Sequence, residues 1–226
     1  MAHPFGKTGY YMTEAATLAS AATAGLVATP NYDEHPRRFS DFATFGAALD
    51  YAALGKRGMN FHDPRGTLVR VYPFSELRTD ALAMAHRLMA HGIGKGDRVA
   101  LIAETGPDFA ALFCGAVYAG AWPVPLPLPT SFGGKESYID QLAVQLQSSD
   151  PRILFYPAEI AEMAGAAAAR QAARSGECAG IAWEDFAQRP AVPCDLPAAN
   201  PDDICYLQYS SGSTRFPHGV AVDASG

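Results

Sequence analysis

Short continuous apolar runs alternate along the chain with stretches whose apolar residues fall at helical spacing. "RVALIA" at 98–103 is apolar after its first residue, as expected of a strand covered on both faces. "WPVPL" at 122–126 and "RILFY" at 152–156 read as two further strands, the first broken by prolines. Ahead of them, Leu77, Ala81, Met84, Ala85 and Leu88 keep a helical period, with Ser75 placed to cap and Gly92 to terminate. Pro107 opens a second helix carrying Phe109, Leu112, Phe113, Ala116 and Val117, and Gly120 ends it. Ile139, Leu142 and Leu146 predict a third, stopped before Asp150-Pro151, and the alanine-rich 158–175 a fourth. "MNFHDPRGTLVRVY" reads as a β-hairpin near residues 58–72, turning at Asp63-Pro64-Arg65-Gly66.

This order of strands and helices predicts an α/β fold with a mostly parallel sheet flanked by helices. Residues 35–187 form the α/β unit in this reading. Residues 188–203 are a stiff extended connector, because "QRPAVPCDLPAANP" contains four prolines. Residues 204–226 hold a buried strand, a loop and a second apolar run, the start of a further subdomain cut short. Residues 1–34 read as a mobile or loosely helical leader. Its stretch "AATLASAATAGLVA" is too poor in strongly apolar residues for a signal-peptide core.

Composition narrows the functional classes. Of 226 residues, 49% are hydrophobic and 18% charged, an ordinary soluble balance. A formal charge of -6 argues against a nucleic-acid surface. No run reaches membrane-spanning length. Cys114, Cys178, Cys194 and Cys205 show no C-x-x-C pairing and read as buried, reduced thiols of a cytoplasmic protein.

Several apparent motifs have plainer readings. "GIGKGD" at 92–97 has glycines at dinucleotide-like spacing but follows a helix and precedes a strand, the reverse of what a pyrophosphate site needs. His86 and His91 are five apart, off a shared helix face. "HPRR" at 35–38 reads as a solvated turn, and Asp202-Asp203 as a turn at a strand entry. Glu104 and Thr105 sit just past a parallel strand, where open α/β sheets bind ligands, although capping the next helix explains them equally well.

The segment that carries chemistry is "YLQYSSGSTRFPHGVAV" at 206–222. Phosphate oxygens are well held by backbone N–H groups converging in a glycine-containing turn. Gly212 permits close approach, and Ser211, Ser213 and Thr214 add hydroxyl donors. It is not a Walker A loop, since no G-K-[ST] occurs and "GVAV" reads as strand rather than helix. Spacing alone leaves a hairpin turn and a phosphate loop both open.

In order, Tyr209, Ser210, Ser211, Gly212, Ser213, Thr214, Pro217 and Gly219 match the phosphate-loop signature of the acyl-adenylate-forming enzymes, and the segment resembles theirs. Arg215 stands where that family usually has Gly, and His218 where it has Lys. "LQY" and "STR" are similar to the fatty acyl-AMP ligase branch, and residues 92–129 also resemble the early part of that family's N-terminal domain.

The resemblance implies the N-terminal subdomain of the acyl-adenylate-forming fold and a two-step reaction. A fatty acid carboxylate attacks ATP, with Mg²⁺ assisting, to give acyl-adenylate and pyrophosphate. The acyl group then passes to the phosphopantetheine thiol of an acyl carrier protein. It also implies that Ser210, Ser211, Gly212, Ser213, Thr214, Arg215 and Gly219 bind the nucleotide, with Arg215 restoring the charge that His218 lacks. No catalytic or metal-binding residue falls within these 226 residues on this reading, and alone they are expected to be inactive. An acyl-CoA synthetase of another branch and a non-catalytic module that keeps the loop are the alternatives.

Overall fold

The computed structural model describes residues 41–130, 134–175, 178–209 and 219–223. The leader at 1–34 and the "HPRR" stretch lie outside them. Chain order begins with helix α1 (Phe45–Ala52), the hairpin strands β1 (Gly58–His62) and β2 (Leu68–Pro73), and helix α2 (Phe74–Ala90). Then come β3 (Arg98–Ile102), α3 (Pro107–Tyr118), β4 (Trp122–Leu126), α4 (Lys135–Ser149) and β5 (Ile153–Tyr156). After a 3₁₀ turn at Ala158–Ile160 follow α5 (Ala161–Ser175), β6 (Ala179–Ala182) and α6 (Trp183–Ala187). Two antiparallel strands, β7 (Ile204–Tyr209) and β8 (Gly219–Asp223), end the chain.

The expected parallel sheet is present, with four strands ordered β4-β3-β5-β6. Because side chains alternate along a strand, β3 and β5 divide their apolar residues between two layers. Val99, Leu101, Ile153 and Phe155 join one core with α2, α3 and α6. Ala100, Ile102 and Leu154 join the other with α4 and α5.

The prolines of β4 fix the end of this sheet. Trp122 N–H donates to Asp97 O, and Leu126 O accepts from Ala103 N–H, so the even-numbered residues face β3. Pro123 and Pro125 therefore occupy the outward positions, where neither has an N–H to give. β7 lies against β4 but pairs only with β8, in a sheet of its own.

Local chemistry explains most boundaries. The predicted hairpin forms, with Gly66 N–H donating to Asp63 O and Gly66 at φ 82°. Ser75 does not cap α2. Pro73 occupies the N-cap with no side-chain bond, its fixed φ carrying the chain from β2 straight into the helix. Residues 188–203 contain no helix or strand and are docked on the α/β unit. Arg87 Nε donates to Arg189 O at 2.7 Å, and Leu196 packs on the first core. "ICYLQY" is a strand, yet only Cys205 in it is buried, because β7 covers the side of the sheet rather than its centre. No helix among the described residues is long and apolar enough to cross a membrane.

Gly115 sets the approach of α3 to α2. A Cβ there would stand 2.6 Å from Met84 Cβ and 2.8 Å from Ala81 O. Backbone atoms cannot yield as a flexible side chain does, so Gly115→Ala must push the helices apart. The expected cost is about 1–3 kcal/mol, read as a lower midpoint in urea unfolding with an unchanged slope.

Candidate functional site

The β7–β8 hairpin presents the loop. Its ladder runs from Ile204 opposite Asp223 to Tyr209 opposite Gly219, so residues 210–218 span the last pair. Ser210, Ser211, Gly212, Ser213, Thr214, Arg215 and His218 lie outside the described residues. Gly219 is the first residue of β8.

The frame around that span is anchored on both faces. Tyr209 Oη donates to the Gln145 carbonyl on α4 at 3.3 Å, and Leu207 and Tyr209 pack on the second core. The Tyr206 ring lies 5.7 Å from that of Phe113 on α3. Across the last pair, a Cβ on Gly219 would reach ordinary contact, 3.4 Å, with the Tyr209 ring. At the other end of β7, Asp203 Oδ2 accepts from Lys95 Nζ at 2.7 Å and from Asn200 N–H at 2.8 Å. These partners, Lys95 foremost, hold its carboxyl below the usual range. The turn read at Asp202-Asp203 is thus present. Its tie to Lys95, 108 residues away, had no sequence signal.

A second feature lies at the carboxyl end of the parallel sheet. The chain leaves β3 toward β4 on one side and leaves β5 toward β6 on the other, so β3 and β5 flank a topological switch point. Glu104 follows β3, Glu159 follows β5 and Glu184 follows β6. Protein atoms crowding its carboxyl raise the Glu104 pKa, and repulsion from Glu159, Glu184 and Asp108 raises it further. Asp108 is raised in the same way, by burial first and then by Glu184 and Asp80. Both residues still expose surface, so their carboxyl groups sit in a crowded rim rather than in the core. The capping alternative fails: Gly106 is the N-cap of α3, without a side-chain bond. A rim of mutually repelling carboxylates is ill suited to phosphate, which leaves the hairpin loop as the phosphate candidate. Among the described residues no group of three His, Cys, Asp or Glu could hold a metal ion.

The remaining sequence candidates disperse. His86 Nδ1 meets Cys194, and His91 Nδ1 meets Arg189 Nη1 at 2.7 Å. Gly92, Gly94 and Gly96 form the turn between α2 and β3, where Gly94 N–H donates to Asp97 Oδ2 and Gly96 N–H to Gly120 O.

Comparison with known proteins gives concordant results. The AMP-binding enzyme family matches residues 67–225. A Caulobacter vibrioides protein, named among the acyl-CoA synthetases, is 43% identical over 206 residues, 88% of this chain and 34% of that protein. A long-chain-fatty-acid–AMP ligase of Mycolicibacterium smegmatis is 31% identical, over 75% of this chain and 26% of its own length. A solved structure from work on fatty acyl-adenylate ligases of E. coli and L. pneumophila superposes with TM-score 0.77 at 39% identity, covering 84% of this chain and 33% of that one. The chain thus spans about a third or less of the length of these relatives.

The acidic rim generates a test. A carboxyl whose folded pKa lies above its unfolded value weakens the fold as pH rises through that interval. Below the unfolded range, about pH 4, both states are protonated and the penalty is absent. Glu104→Gln should therefore raise the unfolding midpoint at neutral pH and give no gain below about pH 4. Thermal melts of both proteins across that range check the sign.

Proposed function

The chain belongs to the AMP-binding enzyme family, and from that premise we propose that it is the N-terminal part of a fatty acyl-AMP ligase. The observation that carries this reading is the order of residues between Tyr209 and Gly219, set at the end of a hairpin fastened to α3 and α4. The fatty acyl-adenylate ligase structure and the fatty-acid–AMP ligase relative support the branch.

The reaction would begin with a fatty acid carboxylate attacking the α-phosphate of ATP, breaking the bond to the β-phosphate and releasing pyrophosphate. Amides and hydroxyls at Ser210 to Thr214 hold the departing phosphates, which stabilises charge where it develops. Arg215 supplies a fixed positive charge that His218 does not. Mg²⁺ would help to neutralise phosphate charge. The acyl group then passes to a phosphopantetheine thiol on an acyl carrier protein. The four free cysteines suit a reducing compartment, which supports a cytoplasmic setting.

The division into an α/β unit at 35–187, a connector at 188–203 and a new subdomain from 204 belongs to the same reading. The separate β7–β8 sheet supports it. Adenylation depends on positioning several groups at once. A chain covering a third of its relatives is therefore expected to bind ATP weakly and not to turn over.

In a protein of the relatives' length carrying these residues, replacing Ser213 and Thr214 together with Ala should cut fatty-acid-dependent pyrophosphate–ATP exchange at least about a hundredfold. Unchanged exchange would make the loop an ordinary turn. The same assay on the 226 residues alone should show no exchange.

The Caulobacter relative's name favours a second reading, transfer to coenzyme A. Mass spectrometry with both acceptors present separates the two. Acylated carrier protein with little acyl-CoA is the expected result, and efficient acyl-CoA formation selects the synthetase branch.

A further inference from the structure

The cysteines do not share one environment. Cys114, Cys178 and Cys205 are buried, and burial raises all three thiols, the first two to about 12. Cys194 is the exception to the expectation of buried thiols. It lies exposed on the connector, with its Sγ 3.5 Å from His86 Nδ1. The Cys194 backbone N–H donates to the same nitrogen at 3.3 Å. That bond requires a lone pair on Nδ1 and so assigns the imidazole proton to Nε2. The nitrogen facing the thiol is therefore the basic one.

Both partners are held in place. His86 stands on α2 between the buried Ala85 and Leu88. Cys194 follows Pro193, in a strap tied by Arg189 O on one side and by Leu196, packed on the core, on the other. A nucleophile and a base on two fixed elements at this range form the arrangement that activates thiols.

We propose that Cys194 and His86 form a reactive thiol–base pair that takes up small disulfides. The Cys194 thiol passes its proton to His86 Nδ1, and the thiolate attacks one sulfur of the disulfide. A new S–S bond forms to Cys194 as the old one breaks, and the departing sulfur recovers the proton from His86 as a thiol. Cys194 is oxidised and the departing sulfur reduced, so the exchange balances without another reactant. Transient exchange of this kind is compatible with a reducing compartment. Nδ1 also accepts from the connector backbone, so thiol chemistry and strap docking draw on one acceptor.

The test treats the 226-residue protein with oxidised glutathione near neutral pH and follows intact mass and peptide maps. An unassisted thiol is only a few per cent thiolate there, so proton transfer to a neighbour can accelerate exchange by at most a few tens-fold. The expected result is a single adduct, on Cys194, reversed by a dithiol reductant. It should form on the order of tenfold faster than on the same thiol in urea-unfolded chain. His86→Gln retains an acceptor for the Cys194 N–H but offers no base, and should fall to the unfolded-chain rate. Equal rates for wild type and His86→Gln, or adducts forming as fast on the other cysteines, would overturn the proposal. If the variant does not fold, the wild-type comparison of folded and unfolded rates decides, and a folded rate no higher than the unfolded one overturns it as well.

Discussion

Two prolines at the outward positions of β4 govern where the first sheet stops and the loop-bearing hairpin begins. A parallel strand with free N–H groups on its open side invites another strand to pair. Pro123 and Pro125 remove those donors while Trp122 and Leu126 keep their bonds toward β3. β7 then lies against β4 outside its ladder, and the ladder of β7 is formed with β8. The hairpin is consequently a separate body that the sheet positions without absorbing. Its loop end is fixed by Tyr209 on α4 and Tyr206 on α3, and its entry by Asp203 on Lys95.

The same constraint explains why the connector is long and docked. The chain must travel from the α6 side of the sheet back to β4, at the opposite edge of the order β4-β3-β5-β6. Its prolines limit the entropy lost in an extended path. Arg87, His86 and Lys95 meet it along the way, all from α2 or the turn after it. Hydrogen bonds to Arg189 O and Ala198 O satisfy backbone groups that an irregular segment would otherwise leave to water.

Wherever periodicity was strong and a terminator stood at its end, the elements could be read from the sequence. β3, α3 and α4 are of this kind, with Pro107, Gly120 and Asp150 marking their limits. What escaped was short or depended on distant partners. α1 has eight residues, and its one local signal is Thr44, whose Oγ1 accepts from Ala47 N–H. β6 is four residues with a single large apolar side chain, Ile181, and α6 is five residues whose Trp183 and Phe186 fill the first core. The loop stood out in the sequence only through the resemblance of its residue order, Tyr209 to Gly219, to a family signature, since spacing alone left a turn and a phosphate loop both open. Its supports did not, because Tyr209 to Gln145 and Tyr206 to Phe113 are tertiary contacts with no local pattern.

Electrostatics further separates the loop from the weaker candidate that sequence position suggested at Glu104. Both Glu104 and the Ser210–Thr214 stretch follow a strand, but only Glu104 stands at the carboxyl end of the parallel sheet, where open α/β sheets bind ligands. At the sheet rim, burial first, and then repulsion from neighbouring carboxylates, makes Glu104 and Asp108 hold their protons more tightly than usual. Bringing a polyphosphate there would add like charge to a site already disfavouring it. The loop sequence contributes hydroxyls, amides and Arg215, with no acidic residue between Tyr209 and Gly219. A negative net charge of -6 therefore does not oppose nucleotide binding. The relevant field is local, screened beyond roughly 8–10 Å at ordinary ionic strength. On the proposed reading, Arg215 would supply the positive charge that His218 lacks in place of lysine, and a carboxylate at position 218 would be harder to tolerate than the histidine.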